Sequence, residues 1–82
     1  MAGAIHITEM QRQIGVAKIY RQQVNIECWE YSTGAIIKYK GWEVLNQYWK
    51  GGTTRLRNPR NGEIRSVCDI LIFRFNNQEV YL

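Results

Sequence analysis

Seven cationic side chains lie in the middle of the chain, and such a group could bind the phosphates of a nucleic acid. They are Lys38, Lys40, Lys50, Arg55, Arg57, Arg60 and Arg65. Only Glu43 and Glu63 oppose them between positions 38 and 65, so the positive charge of the chain, +4 in total, is concentrated in this segment. A basic excess confined to one segment is typical of a phosphate-binding surface, but solvated basic surfaces without a polyanion partner are also common.

Aromatic side chains are concentrated between positions 29 and 49, beside the basic segment. They are Trp29, Trp42, Trp49, Tyr31, Tyr39 and Tyr48. Exposed rings among cations are typical of proteins that hold single-stranded nucleic acid, because bases stack on the rings while the cations follow the backbone. The alternative is that a small domain fills its core with rings, which we expect for two of the three tryptophans. The predicted aromatic contacts of the basic surface are Trp42 and Trp49.

Residues that could perform catalysis are scarce. His6 is the single histidine and is expected in a frayed N-terminus, and Asp69 is the single aspartate. Without partners at suitable spacing, we interpret Asp69 as a turn or capping residue rather than a general acid or base. Gly51 and Gly52 lack the spacing of a phosphate-binding loop and predict a hairpin turn instead. The sequence therefore predicts a protein that is not an enzyme and holds no cofactor.

The two cysteines do not have the spacing of metal ligands. Cys28 and Cys68 lie far apart in the sequence, without companion cysteines. Free cysteine is among the most buried residue types, so both are predicted to be small buried apolar residues, and no metal site is expected.

The length of the chain, 82 residues, predicts a single domain that covers positions 1–82. A domain of this size buries only about 60% of the surface of its unfolded chain, which leaves room for one thin core. The N-terminus lacks a basic stretch followed by a long apolar run, and no segment is long and apolar enough to cross a bilayer. We expect a cytoplasmic location and no membrane partner.

One helix is predicted near the N-terminus. Thr8 and Gln11 have the spacing of a capping box, in which Thr8 would be the N-cap. Gly15 either lies inside the helix or ends it, so the helix is expected to end near position 14 or near position 21. The residues spaced for one buried helical face are Met10, Ile14 and Ala17.

The remainder of the chain predicts strands. The segments with strand-like alternation or composition are 24–28, 35–40, 42–49 and the hairpins 53–65 and 70–82. Positions 31–34 predict a turn, and Gly41 interrupts the strand-like composition. Val44, Leu45 and Tyr48 also have helical spacing, but the flanking glycines and aromatic residues favour a strand here.

A five-residue loop at 58–62 would set the register of the basic hairpin. Arg57 would then face Glu63, and Arg55 would face Arg65. This register predicts an outward face that carries Arg55, Arg57 and Arg65, with Arg60 at the tip.

The C-terminal hairpin is predicted to have a two-residue turn at Asn76 and Asn77, whose side chains tolerate positive φ. Arg74 would then lie opposite Glu79. Leu82 is expected to be packed, and 79–82 would offer an unpaired strand edge.

Together these elements predict an α+β fold with one N-terminal helix followed by five or six short antiparallel strands. Such spacing of short strands is typical of a small SH3-like or OB-like half-open barrel, here with a helical lid. The alternative is a flat sheet backed by the helix.

The turn Ser32-Thr-Gly34 and the last dozen residues, which include IFRFNNQEVYL, carry a resemblance. With the capped helix and IECWEYSTG before them, they resemble small uncharacterised proteins encoded by phages and mobile elements of gut bacteria. The resemblance implies an accessory protein of a mobile genome, and no particular activity or functional residue.

Two hypotheses for function follow from these observations. The first is a binding module whose basic residues contact the phosphates of DNA or RNA without strong sequence preference. The second is a protein-interaction or self-association module that would use exposed rings and an unpaired strand edge.

Overall fold

A computed structural model describes residues 3–48 and 50–82, which form one α-helix and seven strands in a single mixed sheet. In chain order the elements are β1 (Ala4–His6), α1 (Ile7–Tyr20), β2 (Gln23–Trp29), β3 (Ile36–Tyr48), β4 (Thr53–Arg57), β5 (Ile64–Cys68), a 3₁₀ turn (Asp69–Leu71), β6 (Ile72–Phe75) and β7 (Gln78–Tyr81). The α+β class is confirmed. The predicted number of strands is wrong, because the N-terminal residues expected to fray form β1, which pairs in parallel with β7.

Helix α1 packs its predicted face against the sheet. Met10, Ile14 and Ala17 are all buried, and the helix extends to Tyr20, so the longer of the two predicted ends is confirmed. The predicted N-cap is wrong: Thr8 lies within the first turn, and its backbone N–H donates to Nδ1 of His6 at 3.2 Å.

The strands are ordered β1-β7-β6-β2-β3-β4-β5. Strand β3 lies between β2 and β4 and includes residues 36–40 and 42–48 of the two segments that were predicted on either side of Gly41. Gly41 has φ +67°, a conformation that costs glycine little, and the register between β2 and β3 shifts beside it. A single long strand with an irregularity therefore replaces two shorter ones.

The core lies between α1 and one face of the sheet. Alternate side chains of β2 point to it, as the burial of Val24, Ile26 and Cys28 shows. We call this side of the sheet the inner face, and the side that points away from α1 the outer face. The buried apolar residues on the inner face of the other strands include Tyr39, Trp42, Val44, Leu56, Val67, Ile72 and Phe75.

The register of the hairpin between β4 and β5 differs by one residue from the prediction. Arg57 is opposite Ile64, and Leu56 is opposite Arg65. The cause lies in the loop, because Asn58 and Glu63 form a closing pair in which Asn58 N–H donates to the Glu63 carbonyl at 2.7 Å. A slip of one residue sends every side chain of a strand to the opposite face. Arg65 therefore does not share a face with the arginines of β4.

The C-terminal hairpin has the predicted turn. Asn76 and Asn77 have φ +48° and +66°, and Arg74 is opposite Glu79. Two other expectations are wrong: Leu82 is 80% exposed, and β7 is not an edge strand, since β6 and β1 flank it. The edge strands of the described sheet are β1 and β5.

Within the described residues, the single long helix, α1, does not have the length and apolar composition that a membrane-spanning helix requires.

Candidate nucleic-acid interface

Strand β3 places two predicted cations on the outer face. Lys38 and Lys40 alternate with Tyr39, which is buried on the inner face, so both lysines point away from α1 and are exposed. Side chains two positions apart on one face of a strand are about 6.8 Å apart. No carboxylate among the described residues forms a salt bridge with either lysine.

The neighbouring strands extend this arrangement into a cleft. Glu27 of β2 lies between Lys38 and Arg74 of β6, opposite both in the register. Arg74 binds the Glu27 carboxylate, with an Nη1 to Oε2 distance of 3.2 Å, so Arg74 compensates the charge of the nearby carboxylate. A cleft of about 270 Å³ lies here, and the side chains around it include Glu27, Lys38, Lys40, Arg74, Asn25 and Asn77.

Two further predicted cations lie on the outer face of β4. Arg55 is partly exposed and makes no salt bridge within the described residues. Arg57 forms a salt bridge with Glu43 of β3, at 3.3 Å. Arg57 therefore adds less net charge to the surface than its position in the sequence suggests.

Arg65 lies on the other side of the sheet and is paired. Its Nε donates a hydrogen bond to Oε2 of Glu63 at 2.8 Å, and its Nη2 is 2.6 Å from the same oxygen. The hydrogen bond to Glu63 raises the pKa of the Arg65 guanidinium. Arg65 was predicted to join Arg55 and Arg57 on one face. The observed register separates Arg65 from them, which contradicts that part of the predicted site.

The remaining cations lie at chain reversals. Lys50 is exposed in the turn that includes Gly51 and Gly52, and Arg60 is exposed at the tip of the hairpin. The predicted turn at the two glycines is confirmed, with Gly52 at φ +62°. These two cations are at the margins of the surface rather than in the cleft.

The predicted aromatic contacts are not on the outer face of the described structure. Trp42 is only 9% exposed and packs edge-on against Tyr39, with ring centroids 4.7 Å apart. Burial also raises the pKa of Tyr39. Trp49 lies outside the described residues. Trp42 is therefore a core residue, which excludes it from a surface contact.

Trp29 is an exposed ring that the sequence analysis did not select. It is 44% exposed at the end of β2, and its ring lies 5.1 Å from that of Phe73. Trp29 points to the outer face because it alternates with the buried Cys28. That alternation was the available signal, since residues opposite in phase to Val24, Ile26 and Cys28 must face outward.

Asp69 has a structural role. Its Oδ1 accepts a hydrogen bond from the Thr54 hydroxyl at 2.7 Å, and its Oδ2 accepts one from Nε2 of Gln11 at 2.9 Å. It lies in the 3₁₀ turn between β5 and β6, as expected of a turn residue. Its side chain, however, bonds to distant elements rather than to its own turn.

The other residues considered for catalysis or metal binding are spread over the fold. His6 is part of β1, and its ring lies edge-on to Tyr81 at 5.2 Å. Cys28 is buried as predicted, whereas Cys68 is exposed, so the prediction for Cys68 is wrong. Among residues 3–48 and 50–82, no three histidine, cysteine or acidic side chains are grouped as a metal site would require.

Comparison of the chain with protein-family models, with curated proteins and with solved structures gave no match.

Proposed function

We propose that this protein is a non-enzymatic module that binds nucleic acid through phosphate contacts on the outer face of its sheet. The observation that supports the proposal is the placement of Lys38 and Lys40 side by side, exposed and without carboxylate partners among the described residues, in a cleft that includes Arg74. Neutralising a phosphate releases its condensed counterions, so unpaired cations of this kind favour binding of a polyanion.

The surface supports binding without strong sequence preference. Phosphate contacts fix the position of a protein on nucleic acid but carry no sequence information. Lys38 and Lys40 are flexible point charges without the planar, rigid fork of an arginine, and such charges suit contacts with phosphates. Arg55, Lys50 and Arg60 lie farther along the chain and would extend the contact to additional phosphates.

Charge reversal at the two central lysines tests the proposal. The double variant Lys38→Glu/Lys40→Glu should strongly weaken binding of a labelled oligonucleotide, measured by fluorescence anisotropy at low salt, with the circular-dichroism spectrum unchanged. Both side chains are exposed on a strand, so the fold should tolerate the change, with a small loss of stability because the new carboxylate at position 38 would face Glu27.

A matched control carries the same change of net charge on the opposite side of the sheet. Lys18 and Arg21 are exposed at the C-terminal end of α1 and make no salt bridge among the described residues, so Lys18→Glu/Arg21→Glu alters the total charge equally but leaves the cleft with Lys38 and Lys40 intact. Binding should be reduced less than in the Lys38 and Lys40 variant. Equal losses in the two variants would mean that total charge, and not this surface, determines binding.

A second candidate function is protein association through an edge strand. Strand β5 pairs only with β4 in the described sheet, and Ile64 on it is exposed. An unpaired edge can accept a strand from another chain, although charged residues such as Arg65 oppose this. Light scattering after size-exclusion chromatography tests self-association: a monomer at all concentrations would exclude it.

A further inference from the structure

The outer face of β2 and β3 combines an aromatic platform with the cationic cleft. Trp29 is opposite Ile36, and the next outward pair along the two strands is Glu27 and Lys38. The rows of outward side chains on a strand repeat at about 6.8 Å. The exposed part of the Trp29 ring is therefore one row from Lys38 and two rows from Lys40, on one continuous side of the sheet.

The Trp29 ring packs against the ring of Phe73. Its centroid lies 5.1 Å from that of Phe73, with the ring planes 38° apart, and almost half of the residue is exposed. Phe73 precedes Arg74, which lines the cleft. An aromatic ring supported by a second ring loses little conformational entropy when a ligand stacks on it.

We infer that this surface binds single-stranded nucleic acid, with one base stacked on Trp29 and the adjoining phosphates at Lys38 and Lys40. The inference rests on the proposed function and adds the class of nucleic acid and the residue that contacts a base. Stacking requires an unpaired base, because the bases of a duplex are already stacked and paired, whereas phosphate contacts are available in both forms.

The charges around the platform fit this assignment. Glu27 lies beside the proposed path of the nucleic-acid backbone, since it is opposite Lys38, and Arg74 binds it at 3.2 Å. Glu79 lies on the far side of Arg74. The two lysines, which form no salt bridge among the described residues, are thus on the side of the cleft formed by β3, and the nucleic-acid backbone should follow β3.

Anisotropy titrations with a labelled oligo-dT strand and with a duplex of equal length test the inference at low salt. The single strand should bind at least tenfold more tightly than the duplex. Trp29→Leu keeps an apolar contact with Phe73 but removes the ring, and it should weaken single-strand binding by about 5- to 150-fold, as expected for the loss of one stacked base. Trp29→Tyr should retain most of the affinity, because it keeps a ring.

Tyr20→Leu provides the control, because Tyr20 is an exposed ring at the end of α1, away from the outer face. It should bind as the unmodified protein does. Equal affinity for strand and duplex, or equal affinity of the Trp29→Leu variant and the unmodified protein, would overturn stacking on Trp29 but leave the phosphate contacts intact. Failure to bind either oligonucleotide would overturn both the inference and the proposed function, and would favour a protein partner.

Discussion

At the scale of single residues, a cation is available to bind a phosphate when no carboxylate forms a salt bridge with it. Arg57 and Arg65 have carboxylate partners at 3.3 Å and 2.6 Å, whereas Lys38 and Lys40 have none among the described residues. Exposed pairs of this kind contribute only about 0.2–1 kcal/mol, so a phosphate could displace them. The carboxylates of Glu43 and Glu63 nevertheless cancel the charge of the two arginines locally. Lys38 and Lys40 therefore contribute more net positive charge than either arginine does.

Asp69 should contribute to stability through its two side-chain hydrogen bonds, of which the one from Thr54 is buried and the one from Gln11 is partly buried. Asp69→Ala leaves the hydroxyl of Thr54, which is fully buried, without an acceptor, and should lower the free energy of unfolding by about 1–3 kcal/mol. Asp69→Asn keeps an oxygen for the hydroxyl and should lose less. Urea denaturation measures both variants, and an Asp69→Ala variant as stable as the unmodified protein would refute the structural role.

The two thiols should differ in reactivity. Cys68 is exposed, whereas Cys28 is buried, and burial raises the pKa of the Cys28 thiol. A raised pKa leaves less of the reactive thiolate at neutral pH, so Cys28 should react slowly even when reagent reaches it. Titration with a chromogenic disulfide reagent should show one fast thiol, which Cys68→Ser removes. A fast phase that persists in Cys68→Ser would contradict the burial of Cys28.

At the scale of elements, β3 determines which side chains meet on the outer face. It pairs with β2 through its first half and with β4 through its second half. The irregularity at Gly41 changes the alternation, so that Tyr39 and Trp42 both point to the core while Lys38 and Lys40 point outward. A strict two-residue alternation would have placed Trp42 outward with the lysines.

Gly41→Ala should therefore destabilise the protein. The φ of +67° costs a residue with a Cβ about 1–2 kcal/mol, and the new Cβ would lie 3.3 Å from Oε1 of Gln23. Gly51→Ala is a suitable control, because its φ is not in the left-handed region and its Cβ would make ordinary contacts. Thermal unfolding should show a lower midpoint for Gly41→Ala alone. Equal midpoints for the two variants would argue against the conformation at Gly41.

Sequence patterns predicted most of the helix, strands and turns, because side-chain spacing and turn-forming residues within each segment determine these elements. The spacing of Met10, Ile14 and Ala17 predicted the buried face of the helix, and the two asparagines predicted the turn before β7. The predicted register of the basic hairpin was wrong, because composition does not reveal whether Asn58 and Glu63 close the loop with a backbone hydrogen bond.

At the scale of the whole molecule, pairing between distant segments was beyond sequence reasoning. The parallel pairing of β1 with β7 joins the two ends of the chain and has no local signal in either segment. It also explains two wrong expectations, the frayed N-terminus and the free edge at 79–82. Contacts of this kind depend on the complete fold rather than on propensity.

The candidate site was predicted in part. Lys38 and Lys40 of the basic segment are exposed, as a phosphate contact requires, but charge counting could not show that Arg65 would face the other side of the sheet. Trp29 and Arg74 lie on the same surface as the lysines but belong to other strands. Trp29 is on β2, which a turn connects to β3, and Arg74 is on β6, which is distant from β3 in the sequence. Their association with the lysines required the sheet order.

The most direct test of the central claim is the salt dependence of oligonucleotide binding by the unmodified protein and by the Lys38→Glu/Lys40→Glu variant. The affinity of the unmodified protein should fall steeply as salt is raised, with a log–log slope of several units, because each phosphate contact releases counterions. Loss of two contacts should reduce the slope by about 2 wherever the variant still binds measurably. Absence of binding at low salt, or a slope that the substitutions leave unchanged, would contradict the assignment of phosphate binding to the outer face.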